Sequence, residues 1–151
     1  LRRGADVVLT LDADGQHDAS EIPHFLKAIE SGADMVIGSR VLSLASMPWI
    51  RRCANLMGNL TTFVLFGVWV SDSQSGFRAF TRAAVSEIRI RTNRMEVSSE
   101  LVAEAKHNHL RLVEVPIRAI YTDYSLSKVN EQNFFGGLKT LVKLVIRRLS
   151  H

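Results

Sequence analysis

The stretch Val7 to Asp18, VVLTLDADGQHD, decides how this chain is read: an apolar run that stops at two carboxylates one residue apart. Val7, Val8, Leu9 and Leu11 are aliphatic, the run is too short for a helix, and polar residues bound it, which predicts a buried strand. Asp12 and Asp14 then fall just past the strand's carboxyl end, the edge at which ligands bind in open α/β sheets. Asp-x-Asp there puts two acidic side chains on one side of the chain, and Gln16 adds a neutral oxygen two residues on. Three such oxygens suit a hard divalent cation, Mg or Mn, which keeps other positions for water and phosphate. The plainer alternative makes Asp14-Gly15 a turn. Asp18 reads as a helix cap in either case, because Ala19 to Ser31 carries Ile22, Phe25, Leu26 and Ile29 at helical spacing.

Outward from that stretch, Gly32 closes the helix, and Met35, Val36 and Ile37 predict a second short strand. A strand, a helix and a strand in this order imply neighbouring parallel strands joined by a right-handed crossover. The second strand ends at Gly38-Ser39-Arg40, so Arg40 reaches the same edge, either as an ion-pair partner of Asp12 or Asp14 or as a phosphate ligand. Trp49 opens a largely apolar helix to about Phe66. Its first turn holds Arg51 and Arg52, the unfavourable end for the helix dipole, which points to an anion near this helix start; for Arg52 a solvated position is the simpler account. Ser71 to Phe80, SDSQSGFRAF, passes through Gly76, whose missing Cβ permits close backbone approach or a positive φ. Asp72 and Arg78 bracket that glycine as candidate site groups.

Further along, Arg82 to Ile88 reads as a short helix and Val97 to His107 as another, with Leu101, Val102 and Ala105 inward. Glu96 and Glu100 lie four apart, as an acid-base pair or as favourable charge at a helix start. Leu110 to Val115 predicts a last strand ended by Pro116, with Arg118 to Tyr121 extended. A polar loop follows, TDYSLSKVNEQN, whose Lys128 suits a cover over bound phosphate. From Phe134 a final helix sets Leu138, Leu141, Val142, Val145 and Leu149 on one face, with Lys139, Lys143, Arg147 and Arg148 around them. Such a helix either lies on an anionic membrane or packs with a solvated face. The division is therefore a main unit over 1–133 and a basic amphipathic segment over 134–151.

Composition narrows the classes. With 151 residues, 46% of them hydrophobic, the chain is one domain's worth with enough apolar material for a core, and it is not of disordered type. The formal charge of +4 is concentrated around Arg51 and after Leu138, which favours anionic partners. Cys53 is the single cysteine, so there is no disulfide framework within the chain and no cysteine metal site, and a reducing compartment is the simplest match. The five histidines show no metal-ligand spacing, and no phosphate-binding glycine loop of the P-loop or dinucleotide type occurs. The longest apolar run, Leu60 to Val70, is short of a membrane span and fits a buried or interfacial helix.

These pieces, in this order, resemble glycosyltransferase family 2, specifically the polyprenyl-phosphate glycosyltransferases of the dolichol-phosphate mannose synthase type. The matching stretches are VVLTLDADGQHD (7 to 18), IGSR (37 to 40), the Trp49 to Asn59 segment, DSQSGFRAF (72 to 80), LVEVPI (112 to 117) and YTDYSLSK (121 to 128). The resemblance implies an α/β GT-A fold, Rossmann-like, with a mixed sheet flanked by helices. It implies a metal, Mg or Mn, at Asp12, Asp14 and Gln16, and inverting transfer of a sugar from a nucleotide-sugar donor to a polyprenyl or dolichyl phosphate. Asp12, Asp14, Arg40 and Lys128 are then the catalytic set. Arg40, Arg51, Arg52, Asp72, Ser75, Gly76, Arg78, Ser127 and Lys128 are the substrate-binding set. The expected setting is peripheral, on the anionic cytoplasmic face of a membrane, with no nucleic-acid partner.

Two departures qualify the match. Nothing corresponds to the family's opening strand and base-gripping loop, so the expectation is a chain whose N-terminal portion is missing and which is not a competent transferase unaided. The loop before Ser127-Lys128 also carries Asp123, Tyr124 and Leu126 where some members carry Arg and Gly. Three rival readings stand beside this one: a family 2 enzyme with a saccharide acceptor in cell-envelope polysaccharide synthesis, a haloacid-dehalogenase-type phosphatase with Asp12 as nucleophile, and an inactive remnant acting as a binding module.

Overall fold

A computed structural model describes residues 4–43, 49–91 and 96–120, with backbone alone at 49–51 and 96. The elements run β1 (Val7–Thr10), a 3-10 turn (Ala19–Glu21), α1 (Ile22–Glu30), β2 (Met35–Ser39), α2 (Trp49–Phe66), β3 (Arg78–Thr81), α3 (Arg82–Glu87), α4 (Glu96–His107) and β4 (Leu112–Pro116). The architecture is α/β, a mixed four-stranded sheet flanked by helices, as the resemblance implies.

The sheet order is β1-β3-β2-β4. This corrects the expectation that β1 and β2 are neighbours. They do run parallel, but β3 lies between them and is antiparallel to both, with Val7 opposite Thr81 and Met35 opposite Phe80. The crossover through α1 carries the chain two places across the sheet, and the strand that fills the gap arrives some forty residues after β2 has been laid down. β2 and β4 form the one parallel neighbouring pair among the described residues, from Met35 beside Leu112 to Ser39 beside Pro116. β4 ends at Pro116 as expected and begins at Leu112 rather than Leu110.

Alternation along the strands fills two cores, one on each face of the sheet. Met35, Ile37 and Phe80 face Ala84 of α3 and Val102 and Ala105 of α4. Val36, Ala79 and Phe77 face Phe25 of α1 and Ile117. Phe25 and Phe77 stack at 4.2 Å, both fully buried, and each such burial contributes about 1.5–3 kcal/mol. Gly38 makes that packing possible, because a Cβ there would sit 2.7 Å from the Phe25 ring and 2.9 Å from Ile117.

Two further expectations are corrected. β1 is half-buried rather than buried, and Leu11 is 46% exposed, because β1 is the outer strand of the described sheet and is covered chiefly on one face. The helix expected from Ala19 opens as a 3-10 turn and becomes α-helical at Ile22, with Pro23 in its first turn where a missing N–H costs nothing. Leu26, expected inward, is largely exposed, while Phe25 carries the buried face. The Asp18 cap forms as read: its carboxylate accepts the Ser20 N–H at 2.8 Å. Gly32 ends α1 at φ +93°. No helix among the described residues is long and apolar enough to cross a membrane.

Candidate functional site

Parallel β1 and β2 deliver their carboxyl ends to one edge of the sheet, and antiparallel β3 delivers its start. The residues after β1 (Asp12 and Asp14), those at the end of β2 (Ser39 and Arg40) and those entering β3 (Ser75 to Arg78) are therefore gathered together, although they come from three separate stretches of chain. Thr10 ties two of these stretches by donating its hydroxyl to the Gly76 carbonyl at 3.1 Å.

The Asp12 side chain is 58% exposed. It lies so close over Gly76 that a Cβ at that position would collide with both carboxylate oxygens. Of the two uses the sequence allowed for Gly76, close approach is the one realised. Asp14 is exposed and folds back locally, accepting the Gln16 N–H at 3.0 Å across Gly15, whose φ is +75°. Gln16 accepts the Ile120 N–H at 3.0 Å, and His17 bridges Ala119, so the segment after β4 pins this turn. The turn and the two carboxylates are one arrangement and do not compete.

Asp72 has the opposite environment. It is fully buried and takes four donors: the Arg40 backbone N–H and Nε at 3.1 and 2.7 Å on one oxygen, Arg40 Nη2 and Asn55 Nδ2 at 2.8 and 2.5 Å on the other. Arg40 therefore pairs with Asp72 and not, as the sequence suggested, with Asp12 or Asp14. Asn59 donates to the Ser71 carbonyl and to Asn55 and accepts the Ser73 N–H, while Ser71 donates twice to Glu114 on β4. Ser75 is buried in the turn that follows, its N–H on the Asp72 carbonyl.

Arg78 connects the two regions. The residue is 4% exposed, its guanidinium donates to the Ser73 carbonyl at 2.9 Å, and its buried Nε has no partner among the described residues. Burial pulls its pKa down to about 10, against the opposing pull of Asp12 and Asp72, so it carries a full positive charge at neutral pH beneath the carboxylates.

His17 is a site residue that spacing arguments did not find. Its side chain is 2% exposed, Nε2 lies 3.6 Å from Asp12, and the ring tilts against Phe77 at 5.3 Å. Burial lowers its pKa, with Asp12 opposing and Arg40 assisting. Asn55 and Asn59 were also missed, though two amides four apart on an otherwise apolar helix are a legible signal of a buried polar contact. Arg52 is exposed in the first turn of α2. Glu100 accepts the Arg91 N–H at 2.9 Å, which ties the chain after α3 to α4. The side chains of Arg51 and Glu96, and residues Tyr121, Ser127, Lys128 and 134–151, lie outside the described residues.

Asp12 and Asp14 are the residues that could hold a hard cation. Asp12 and Asp14 present oxygens to solvent, and no group of three or more His, Cys, Asp or Glu able to hold a metal occurs among the described residues. Two exposed carboxylates are too few for a closed protein cage, so a cation held there would take its remaining positions from water or phosphate.

A model described as glycosyl transferase family 2 matches residues 3–89. The chain is 37% identical over 152 residues to the UDP-N-acetylglucosamine–dolichyl-phosphate N-acetylglucosaminyltransferase of Methanococcus voltae, covering 97% of this chain and 60% of that protein. To the polyprenol monophosphomannose synthase of Mycolicibacterium smegmatis it is 32% identical over 153 residues, covering 97% and 58%. An uncharacterized protein of Methanocaldococcus jannaschii is 40% identical over 149 residues, covering 95% and 60%. The chain thus spans about 60% of the length of the curated relatives it matches.

Proposed function

This chain belongs to glycosyl transferase family 2, and from that premise we propose that it carries the catalytic edge of a transferase moving a sugar from a nucleotide-sugar donor to a polyprenyl or dolichyl phosphate. The observation that carries this reading is the exposed Asp12 and Asp14 pair at the sheet edge, with the buried charge of Arg78 acting on Asp12. The names of the Methanococcus voltae and Mycolicibacterium smegmatis relatives support the acceptor class. The family match spans the Asp12-x-Asp14 stretch and speaks against the phosphatase alternative.

In the reaction proposed, a lipid-phosphate oxygen attacks the anomeric carbon and the bond from that carbon to the donor diphosphate breaks. The nucleoside diphosphate leaves with the bonding pair, and the sugar carbon inverts. The acceptor is already anionic at neutral pH, so no strong general base is needed. Mg or Mn held by Asp12 and Asp14, with Gln16 beside them, would supply positive charge to the departing diphosphate. The chain's own contribution is preorganisation: Gly76 seats Asp12, the turn at Gly15 holds Asp14, and Asp72 holds Arg40 and the segment entering β3. Arg40, one Arg of the Arg51/Arg52 pair and Lys128 are the proposed contacts for diphosphate and lipid phosphate.

A lipid acceptor also calls for a surface that meets a bilayer, proposed here at the cytoplasmic face. On α2, Leu56, Leu60, Phe63 and Val64 are exposed, with Trp69 just beyond.

The deciding experiment is transfer from radiolabelled UDP-N-acetylglucosamine or GDP-mannose to polyprenyl phosphate, with Mg or Mn and with EDTA. Metal-dependent label in the lipid phase is expected from the protein carrying this chain. Label passed only to a saccharide would move the reading to the cell-envelope alternative, and no transfer with any donor would return it to an inactive binding module.

A further inference from the structure

We propose that His17 is a positioning residue: its ring orients the Asp12 carboxylate toward a divalent cation, a role that rests on the metal-dependent reading above. The imidazole is 2% exposed, and its buried Nδ1 has no partner among the described residues. Of the two neutral tautomers, one leaves Nδ1 a bare acceptor and the other leaves a buried N–H unsatisfied. The second costs more, so the proton resides on Nε2. Nε2 is the atom facing Asp12, at 3.6 Å, a separation that orients the carboxylate electrostatically and is longer than a full hydrogen bond.

The ring is held in place. Phe77 packs against it, its backbone bridges Ala119, and the preceding residue accepts the Ile120 N–H. On its other side Asp12 meets the backbone of Gly76. The carboxylate therefore sits between an imidazole N–H and a bare glycine, with the remaining exposed side open to a cation. Groups that orient a ligating carboxylate from outside tune metal affinity without touching the metal.

The test uses His17→Phe, which keeps an aromatic ring against Phe77 and removes the donor, and His17→Gln, whose amide N–H reaches toward the place of Nε2. Binding of Mn(II) in the presence of UDP, and in a parallel series GDP, is read from the loss of the free Mn(II) paramagnetic resonance signal. Against wild type, His17→Phe should bind at least about tenfold more weakly and His17→Gln within about threefold. In the metal-free protein, the Asp12 carboxyl 13C resonance should move in His17→Phe and return in His17→Gln. Wild-type binding and an unmoved resonance in folded His17→Phe would overturn the proposal. If wild type itself binds no Mn(II) while the resonance responds as stated, the metal-dependent reading fails and the hold of His17 on Asp12 stands. A measurement needing no variant decides the case if His17→Phe does not fold: 15N shifts of the wild-type ring must report the Nε2–H tautomer, and the Nδ1–H tautomer overturns the proposal.

Discussion

Asp12 and Asp72 are the same residue type at the same edge of one sheet, and they are used in opposite ways. Asp72 is fully buried and its two oxygens take four donors, so its charge is consumed by Arg40 and Asn55. Asp12 is mostly exposed, leans on a glycine, and has an imidazole as its near neighbour. A carboxylate whose acceptor capacity is filled from within holds the chain together. One with exposed oxygens is available to something from outside. The contrast gives the 71–75 segment a structural role and makes the 12–17 turn the proposed place of ligand binding.

Removing the structural carboxylate should give the largest effect. Asp72→Ala removes the buried carboxylate that pairs with the Arg40 guanidinium, whose side chain is 17% exposed, and the expected loss is about 3–5 kcal/mol in urea denaturation. A loss under about 1 kcal/mol, the range of a surface pair, would break the contrast. Gly76→Ala comes next: a methyl driven into Asp12 should cost about 1–3 kcal/mol and also lower Mn(II) binding. Unchanged binding in that variant would mean that the seat is irrelevant to the site.

Asp14→Ala should leave the midpoint of unfolding within about 0.5 kcal/mol while removing metal-supported nucleotide binding, since its one described bond is an exposed contact to Gln16. Calorimetry beside a thermal melt separates the two, and binding that survives would sink the assignment of Asp14. The smallest effect is a pH dependence from His17. Its folded pKa lies below that of a free histidine, chiefly through burial, so below about 6.5 the unfolded chain takes up the proton first. That contribution to stability is fully present above the unfolded value and is lost as pH falls through the folded one. Urea midpoints at pH 7.5 and 5.5 should therefore differ more in wild type than in His17→Phe, and equal differences would contradict the burial argument.

The sequence was most legible where a short-range pattern carries the information. The apolar run at Val7, the spacing of Ile22, Phe25 and Ile29, and the inward set Leu101, Val102 and Ala105 are periodic signals, and the elements they predict form. The neighbours in the sheet were not legible, because nothing local to Arg78–Thr81 says that this four-residue strand enters between β1 and β2. The site divides the same way. Asp12, Asp14 and Gly76 could be picked out from the residues beside them, but the pairing of Arg40 with Asp72 spans a helix and a loop. His17 was passed over because its importance comes from burial against Phe77 and from Ala119, a residue from the far end of the described chain.

The place of β3 between β1 and β2 also bears on how the protein is made. β1 pairs with a strand whose last residue is Thr81, and β2 acquires its parallel partner only with Leu112 to Pro116. At a synthesis rate of about 5–20 residues per second, the nascent β1 waits roughly 4–15 seconds for the strand that covers it. Throughout that interval the side of Val7 to Thr10 that β3 covers has open backbone groups, the kind of edge that chaperones recognise and that joins with its own copies. A strand order that brings two distant stretches to one functional edge therefore commits the chain to a late closing step, and the yield of folded protein should respond to translation rate and chaperone supply.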